Sequence, residues 1–131
     1  MKYDLSSFKP IINQGDFRLS MKSKSVMVSI KVKRALIDMK AFVVEILKSD
    51  DNCICLHAVS KTADERPSLY EIDRLVSAEL RRCREDICET YGISLDSRTK
   101  LVMHGIYDES QNSIFFPKEM IKICEVVPRA K

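Results

Sequence analysis

The sequence predicts an α+β domain in which a mostly antiparallel sheet of about four or five strands carries one long amphipathic helix and a short C-terminal helix. A stripe of apolar residues recurs every three or four positions between Pro67 and Gly92, which is typical of a helix lying on a sheet. Several other segments alternate apolar and polar residues, which is typical of strands. With 131 residues, of which 45% are hydrophobic, the chain fits a single domain spanning 1–131.

The N-terminal third begins without a clear pattern and then alternates. Residues 1–24 are the least patterned, and the NQGD cluster at 13–16 predicts a turn. Val26, Val28, Ile30 and Val32 then alternate with polar and basic residues. This alternation predicts a strand over 25–33 with one buried face and a basic outer face.

Residues 35–48 fit two structures. Leu36, Met39, Val43 and Ile46 form a helical stripe that Asp38 can cap, whereas the β-branched and aromatic residues of this segment favour a strand. The turn sequence SDDN at 49–52 favours a hairpin of 41–48 with 53–60, and this is the alternative that we prefer. The second arm is apolar on both faces, so we expect it at the centre of the sheet.

The long helix is predicted over residues 69–91. Ser68 and Glu71 have the spacing of a capping box at its start, and Gly92 can end it in the left-handed conformation. Between them, the stripe is formed by Leu69, Ile72, Val76, Leu80, Cys83, Ile87 and Tyr91. We expect this stripe to face the sheet and the charged remainder to face solvent.

The last quarter of the sequence predicts a β-hairpin followed by a short helix. Residues 101–107 and 113–116 read as strands joined by a polar turn at 108–112. Pro117 suits the first position of a short helix that ends at Pro128. Its inward residues are predicted to be Met120, Ile121, Cys124 and Val127.

Composition points to the cytoplasm. The N-terminus lacks the apolar core of a secretory signal, and no stretch has the length and hydrophobicity of a membrane span. The five cysteines are an odd number and lie within apolar patterns, so we expect them to be reduced.

The sequence contains no complete signature of a catalytic, cofactor or metal site. Its three glycines are too scattered for a phosphate-binding loop. Cys53, Cys55 and His57 project from one face of a strand, but neighbours spaced about 7 Å apart do not converge on one metal ion. A cysteine- or zinc-dependent enzyme, in which Cys83, Cys88 or His104 joins these residues, is retained as a third interpretation. Otherwise we predict no catalytic residue, cofactor or metal.

The predicted function is therefore binding by a surface. We interpret the chain as a small protein-binding module, of the inhibitor or immunity type, that neutralises a partner protein such as a toxin through a charged surface. The candidate contacts are acidic residues of predicted turns and of the outer helix face: Asp50, Asp51, Asp64, Glu65, Asp86, Glu89, Asp108 and Glu109.

The alternative is a nucleic-acid-binding or regulatory domain. Residues 1–40 carry nine basic and three acidic side chains, although the whole chain has a net charge of only +3. The candidate contacts would form a basic ridge on and before the first strand, consisting of Lys22, Lys24, Lys31, Lys33 and Arg34. The sequence leaves open the identity of the partner and the oligomeric state, and it implies no membrane partner.

Overall fold

A computed structural model describes Ser6 and residues 17–60 and 66–126. Within these ranges the chain forms a curled, seven-stranded antiparallel sheet and three α-helices. The α+β class is confirmed, but the predicted sheet of four or five strands is wrong. The strands are β1 (Phe17–Met21), β2 (Val26–Val28), β3 (Ala41–Lys48), β4 (Ile54–Ser60), β5 (Thr99–Asp108), β6 (Ser113–Phe116) and β7 (Ile121–Glu125). The helices are α1 (Ile30–Asp38), α2 (Leu69–Arg82) and α3 (Arg84–Tyr91).

The sheet is organised around β5. Its strand order is β2-β1-β5-β6-β4-β3, with β7 also paired to β5. The first half of β5 pairs with β1 and β7, and the second half pairs with β6. Gly105 lies at this changeover, where an added Cβ would come within 2.7 Å of side-chain atoms of Ile114 and Phe116. Glycine therefore allows the core to close against β5 at this position.

The predicted strand over 25–33 is wrong beyond Val28. Ser29 ends β2 and caps α1, because its Oγ accepts a hydrogen bond from the Val32 backbone N–H at 3.4 Å. Val32 and Leu36 are one turn apart on α1 and fully buried. The apolar alternation fitted a strand, but the serine cap and this buried pair favour a helix.

The preferred hairpin of 41–48 with 53–60 is confirmed as β3 paired antiparallel with β4. Strand β4 also pairs with β6, so its predicted central position is confirmed. The alternative helix capped by Asp38 does not form, since α1 ends at that residue and Lys40 turns the chain with φ of 54°.

The long helix is confirmed in its boundaries and its buried stripe but not in its continuity. The Ser68 side chain accepts a hydrogen bond from the Glu71 N–H, and Gly92 ends the helix with φ of 68°. Cys83, with φ of −98° and ψ of 8°, interrupts the helix and divides it into α2 and α3. The stripe residues Ile72, Val76, Leu80, Ile87 and Tyr91 are buried, whereas Leu69 is exposed.

The hairpin of β5 with β6 is confirmed, and the short C-terminal helix is wrong. Residues 118–120 form a single 3₁₀ turn, after which Ile121–Glu125 is strand β7. Pairing with the open edge of β5 outweighs the local helix signal of Pro117. Val127, Pro128 and the predicted turn at 13–16 lie outside the described residues.

The helices cover one face of the sheet. Helix α2 contacts α1, β2 and β3, and the core beneath it contains Leu19, Leu56, Leu101 and Met103, all fully buried. The alternate residues of the strands form the opposite, outer face. None of the described helices combines the length and the apolar composition that a membrane crossing requires.

Candidate protein-binding groove

A groove with a volume of about 880 Å³ lies between β3 and α2. Ala41–Val44 form its strand wall, and residues of the α2 face between Glu71 and Arg81 form its helix wall. Arg66 and Pro67 lie at one end, in the segment that leads into α2. We call this feature the β3 groove.

Strand β3 presents an open backbone edge to the groove. It is the last strand on its side of the sheet and pairs only with β4 among the described residues. The Ala58 N–H donates to the Asn112 carbonyl at 2.8 Å, so Ala58 directs its hydrogen-bonding groups away from Val44, its partner on β3. Val44, and by alternation Ile46, therefore direct their backbone N–H and C=O groups away from β4. Such groups can pair with an additional strand.

A bulge shapes the start of this edge. The pairing of β3 with β4 shifts between Ala41 and Val43, which makes Phe42 the extra residue. Phe42 is 53% exposed and lines the groove, and the neighbouring Val43 is 41% exposed. Two large apolar side chains are thus displayed beside the open backbone edge.

The helix wall combines apolar and charged side chains. Leu75 and Ala78 lie at its centre, and Arg74 and Arg81 are seven residues apart on the same face of α2. The Arg74 guanidinium lies 5.6 Å from the Tyr70 ring centroid. Arg74 and Arg81 form no ion pair with another described residue, and Glu71, Asp73 and Glu79 line the same wall, so the wall presents both signs of charge.

An apolar row runs from β3 across the outer face of the sheet. The register places Leu47 opposite Cys55, Cys55 opposite Phe115, and Phe115 opposite Ile106. Leu47 and Ile106 are both exposed. Apolar surface therefore flanks the β3 edge on the outer face as well as in the groove.

The six predicted acidic residues that the structure describes do not form one cluster. Asp50 and Asp51 lie in the β3–β4 turn, which precedes Ile54, whereas Asp108 is level with His57, about 10 Å further along β4. The Asp108 carboxylate accepts hydrogen bonds from Ser110 and Gln111, which hold its pKa below the ordinary value. Its role is to cap the turn that contains Glu109.

The remaining acidic candidates are placed separately. Asp86 and Glu89 are exposed on α3. The Tyr91 hydroxyl donates a hydrogen bond to the Phe116 carbonyl and so fixes the end of α3 to β6. The end of α3 therefore lies at the end of the sheet where Ile54 pairs with Phe116. Asp64 and Glu65 lie outside the described residues.

The predicted basic ridge is dispersed over two elements. Lys22 and Lys24 lie in the β1–β2 turn, whereas Lys31, Lys33 and Arg34 lie on α1. The Lys31 ammonium lies 4.8 Å from the Phe17 ring centroid, and Lys33 forms an ion pair with Asp73 at 3.3 Å. The ridge required a strand over 25–33, so its proposed geometry does not exist.

The cysteine candidates lie in surroundings that favour the neutral thiol. Burial raises the pKa of the Cys53 and Cys55 thiols, which favours the unreactive neutral form. His57 faces Glu45 across the β3–β4 pair, with 3.3 Å between Nδ1 and Oε2. Within 17–60 and 66–126, no three histidine, cysteine or acidic side chains converge as a metal site would require.

Comparison with known proteins gives no relative. Protein-family models, curated proteins and solved structures were searched, and none of them matches this chain.

Sequence reasoning missed the β3 groove. The strand itself was predicted, but its position at the end of the sheet depends on pairings with residues far away in the chain. The one local signal was the run Phe42–Val43–Val44, which places three large apolar residues in succession and so breaks the alternation.

Proposed function

We propose that this chain is a protein-binding module that takes an extended segment of its partner as an additional strand on β3. The open backbone edge of β3 beside α2 is the observation that supports this proposal most strongly. In strand addition, main-chain hydrogen bonds supply affinity and pockets for alternate side chains supply specificity. The β3 groove offers both, with Val44 and Ile46 as backbone partners and Phe42 as an apolar contact.

The flanking charges favour a different protein over a second copy of this chain. Lys40 and Lys48 lie at the two ends of β3. Antiparallel pairing of two β3 strands about their centre brings each Lys48 next to the Lys40 of the other copy, and like charges at close range are unfavourable. A partner segment with an acidic flank meets Lys48 favourably at the end of β3, and the basic Arg74 and Arg81 of the groove alternate with acidic residues that a mixed-charge segment can pair with.

The proposal extends to the compartment of the protein and to the consequence of binding. We place the protein in the cytoplasm, because all five cysteines are free thiols and a reducing compartment keeps them so. An inhibitor or immunity role remains our prediction for the consequence of binding.

A displayed library of random dodecapeptides tests the proposal. We expect selected peptides to bind the wild-type chain and to lose at least about tenfold in affinity, or about 1.4 kcal/mol, with Phe42→Asp. Ile123→Asp is the matched control, since Ile123 is 51% exposed on β7, away from the groove. Peptides N-methylated at alternate residues should also lose affinity, because strand addition needs their N–H groups.

Three outcomes would contradict strand addition on β3. The library yields no binder, the two aspartate variants lose affinity equally, or the N-methylated peptides bind as well as the unmodified ones. Near-ultraviolet circular dichroism on both variants establishes that each remains folded.

A further inference from the structure

A second surface of the molecule has a single sign of charge. The outer face of β1, β5 and β7 carries Arg18, Lys100 and Lys122, with His104 between them. Their positions follow from the register: Arg18 pairs with His104, and Lys122 pairs with Val102. The buried residues Leu19, Leu101 and Met103 alternate with them on the opposite face. We call this surface the basic sheet face.

No acidic side chain occupies this face along β1, β7 and residues 100–104 of β5, and Asp108 lies on the same side at the far end of β5. Its other members are Met27, Ser20, Val102 and Cys124. Arg18, Lys100 and Lys122 form no ion pair with any other residue in the described ranges. Within the described residues, these three permanent positive charges have no carboxylate partner.

The spacing of the charges follows the direction of β5. Lys100, Lys122 and Arg18 lie at the levels of residues 100, 102 and 104, so successive charges are about 6.7 Å apart along the strand. Lys22 directly follows Met21, which pairs with Leu101, and it extends the positive surface at the same end as Lys100. Because β7 and β1 lie on opposite sides of β5, the charges form a zigzag row along the direction of β5.

The positive surface continues around one end of the face. A pocket of about 390 Å³ is lined by Phe17, Lys31, His104, Gly105, Met120 and Lys122. Its floor is apolar, through Phe17 and Met120, and its described charged residues are all basic. An apolar pocket beside a line of cations is suited to a ligand that carries both planar groups and negative charge.

We propose that the basic sheet face binds the phosphate backbone of a single nucleic-acid strand. Protein interfaces generally require large buried apolar anchors, and this face offers few: Val102 is almost fully covered, and the large exposed apolar side chains are Met27 on β2 and Ile106, which follows His104 along β5. A line of arginine and lysine side chains without carboxylates is instead the pattern that phosphate contacts need. The site is separate from the β3 groove, which lies at the other end of the strand order.

The charge count sets the expected salt dependence. Neutralising three or four phosphates on a single strand gives a slope of log affinity against log salt of about −2 to −3. With no aromatic side chain among the described positions of the face itself, we expect little preference for base sequence.

Fluorescence anisotropy with a labelled 20-nucleotide oligothymidylate at 50 mM salt tests the proposal. We expect Arg18→Glu combined with Lys122→Glu to weaken binding at least about tenfold. The control combines Arg34→Glu with Arg82→Glu, which changes the net charge equally on exposed residues elsewhere and should keep affinity within about threefold. Thermal denaturation of both double variants establishes that each is folded.

Polyglutamate of matched charge is the competitor that separates nucleic acid from an acidic protein. The proposal holds if the oligonucleotide binds with the expected salt slope, resists polyglutamate, and responds only to the face variant. It fails if the wild-type chain does not bind, if polyglutamate displaces the oligonucleotide at equal charge, or if both double variants weaken binding equally.

Discussion

At the scale of single residues, Tyr91 links the helical layer to the sheet. Its side chain is buried, and its hydroxyl donates to the Phe116 carbonyl at 2.6 Å. Burial raises the pKa of this hydroxyl above its ordinary value of 10.0, because the phenolate would lose its hydration. The bond therefore depends on the neutral phenol.

We expect Tyr91→Phe to lower the free energy of unfolding by about 1–2 kcal/mol at pH 7, since the Phe116 carbonyl loses its partner. The difference from wild type should shrink above pH 10. There the unfolded tyrosine releases its proton while the folded one keeps it, so wild-type stability falls with rising pH. By pH 11 the difference should be smaller by about 1.4 kcal/mol.

Urea unfolding at pH 7, 10 and 11 measures both quantities. The raised pKa values of cysteines such as Cys55 and Cys88 also lower stability at alkaline pH, but they do so equally in wild type and in Tyr91→Phe. The difference between the two proteins therefore reports on Tyr91 alone. A difference that is constant from pH 7 to pH 11 would show that Tyr91 does not titrate differently in the folded state.

At the scale of elements, the α2 stripe carries the packing of the helical layer. Leu80 is fully buried, whereas its neighbour Glu79 lies at the side of the helix and pairs with Arg82. Leu80→Asp places an unpaired carboxylate in the core and should cost several kcal/mol, enough to unfold the domain. Glu79→Lys removes a surface ion pair and should cost less than about 1 kcal/mol.

Circular dichroism with thermal denaturation compares the two α2 variants directly. Loss of the folded signal for Leu80→Asp together with a melting temperature near wild type for Glu79→Lys supports the assigned stripe. Similar melting temperatures would mean that α2 does not pack through this face.

The helix and strand boundaries that could be predicted are those set by residues close together in the sequence. The capping pair Ser68 and Glu71 and the terminal Gly92 each act within a few residues, so the helix boundaries could be derived from the sequence. The interruption at Cys83 has no such signal. The segment 25–33 was misassigned because apolar residues at alternate positions satisfy a strand, while Val32 and Leu36 satisfy a helix equally well. The hydrogen bond from the Val32 N–H to the Ser29 side chain decides in favour of the helix, and this bond is known only from the structure.

At the scale of the whole molecule, both proposed sites depend on pairings between distant residues. The basic sheet face joins Arg18 to His104 and Val102 to Lys122, so no window of the sequence contains it. The sheet was underestimated for the same reason, since β1 and β7 are short strands that are stabilised by β5. Likewise, β3 became a candidate site only when the strand order placed it at the end of the sheet.

Amide hydrogen exchange of β3, followed by nuclear magnetic resonance, tests the open edge most directly. In the free chain we expect the Val44 and Ile46 amides to exchange fast and those of Glu45 and Leu47, which point to β4, to exchange slowly. A bound peptide should slow Val44 and Ile46 at least about tenfold and leave Glu45 unchanged. Slow exchange of Val44 and Ile46 in the free chain, or no change on binding, would contradict strand addition on β3.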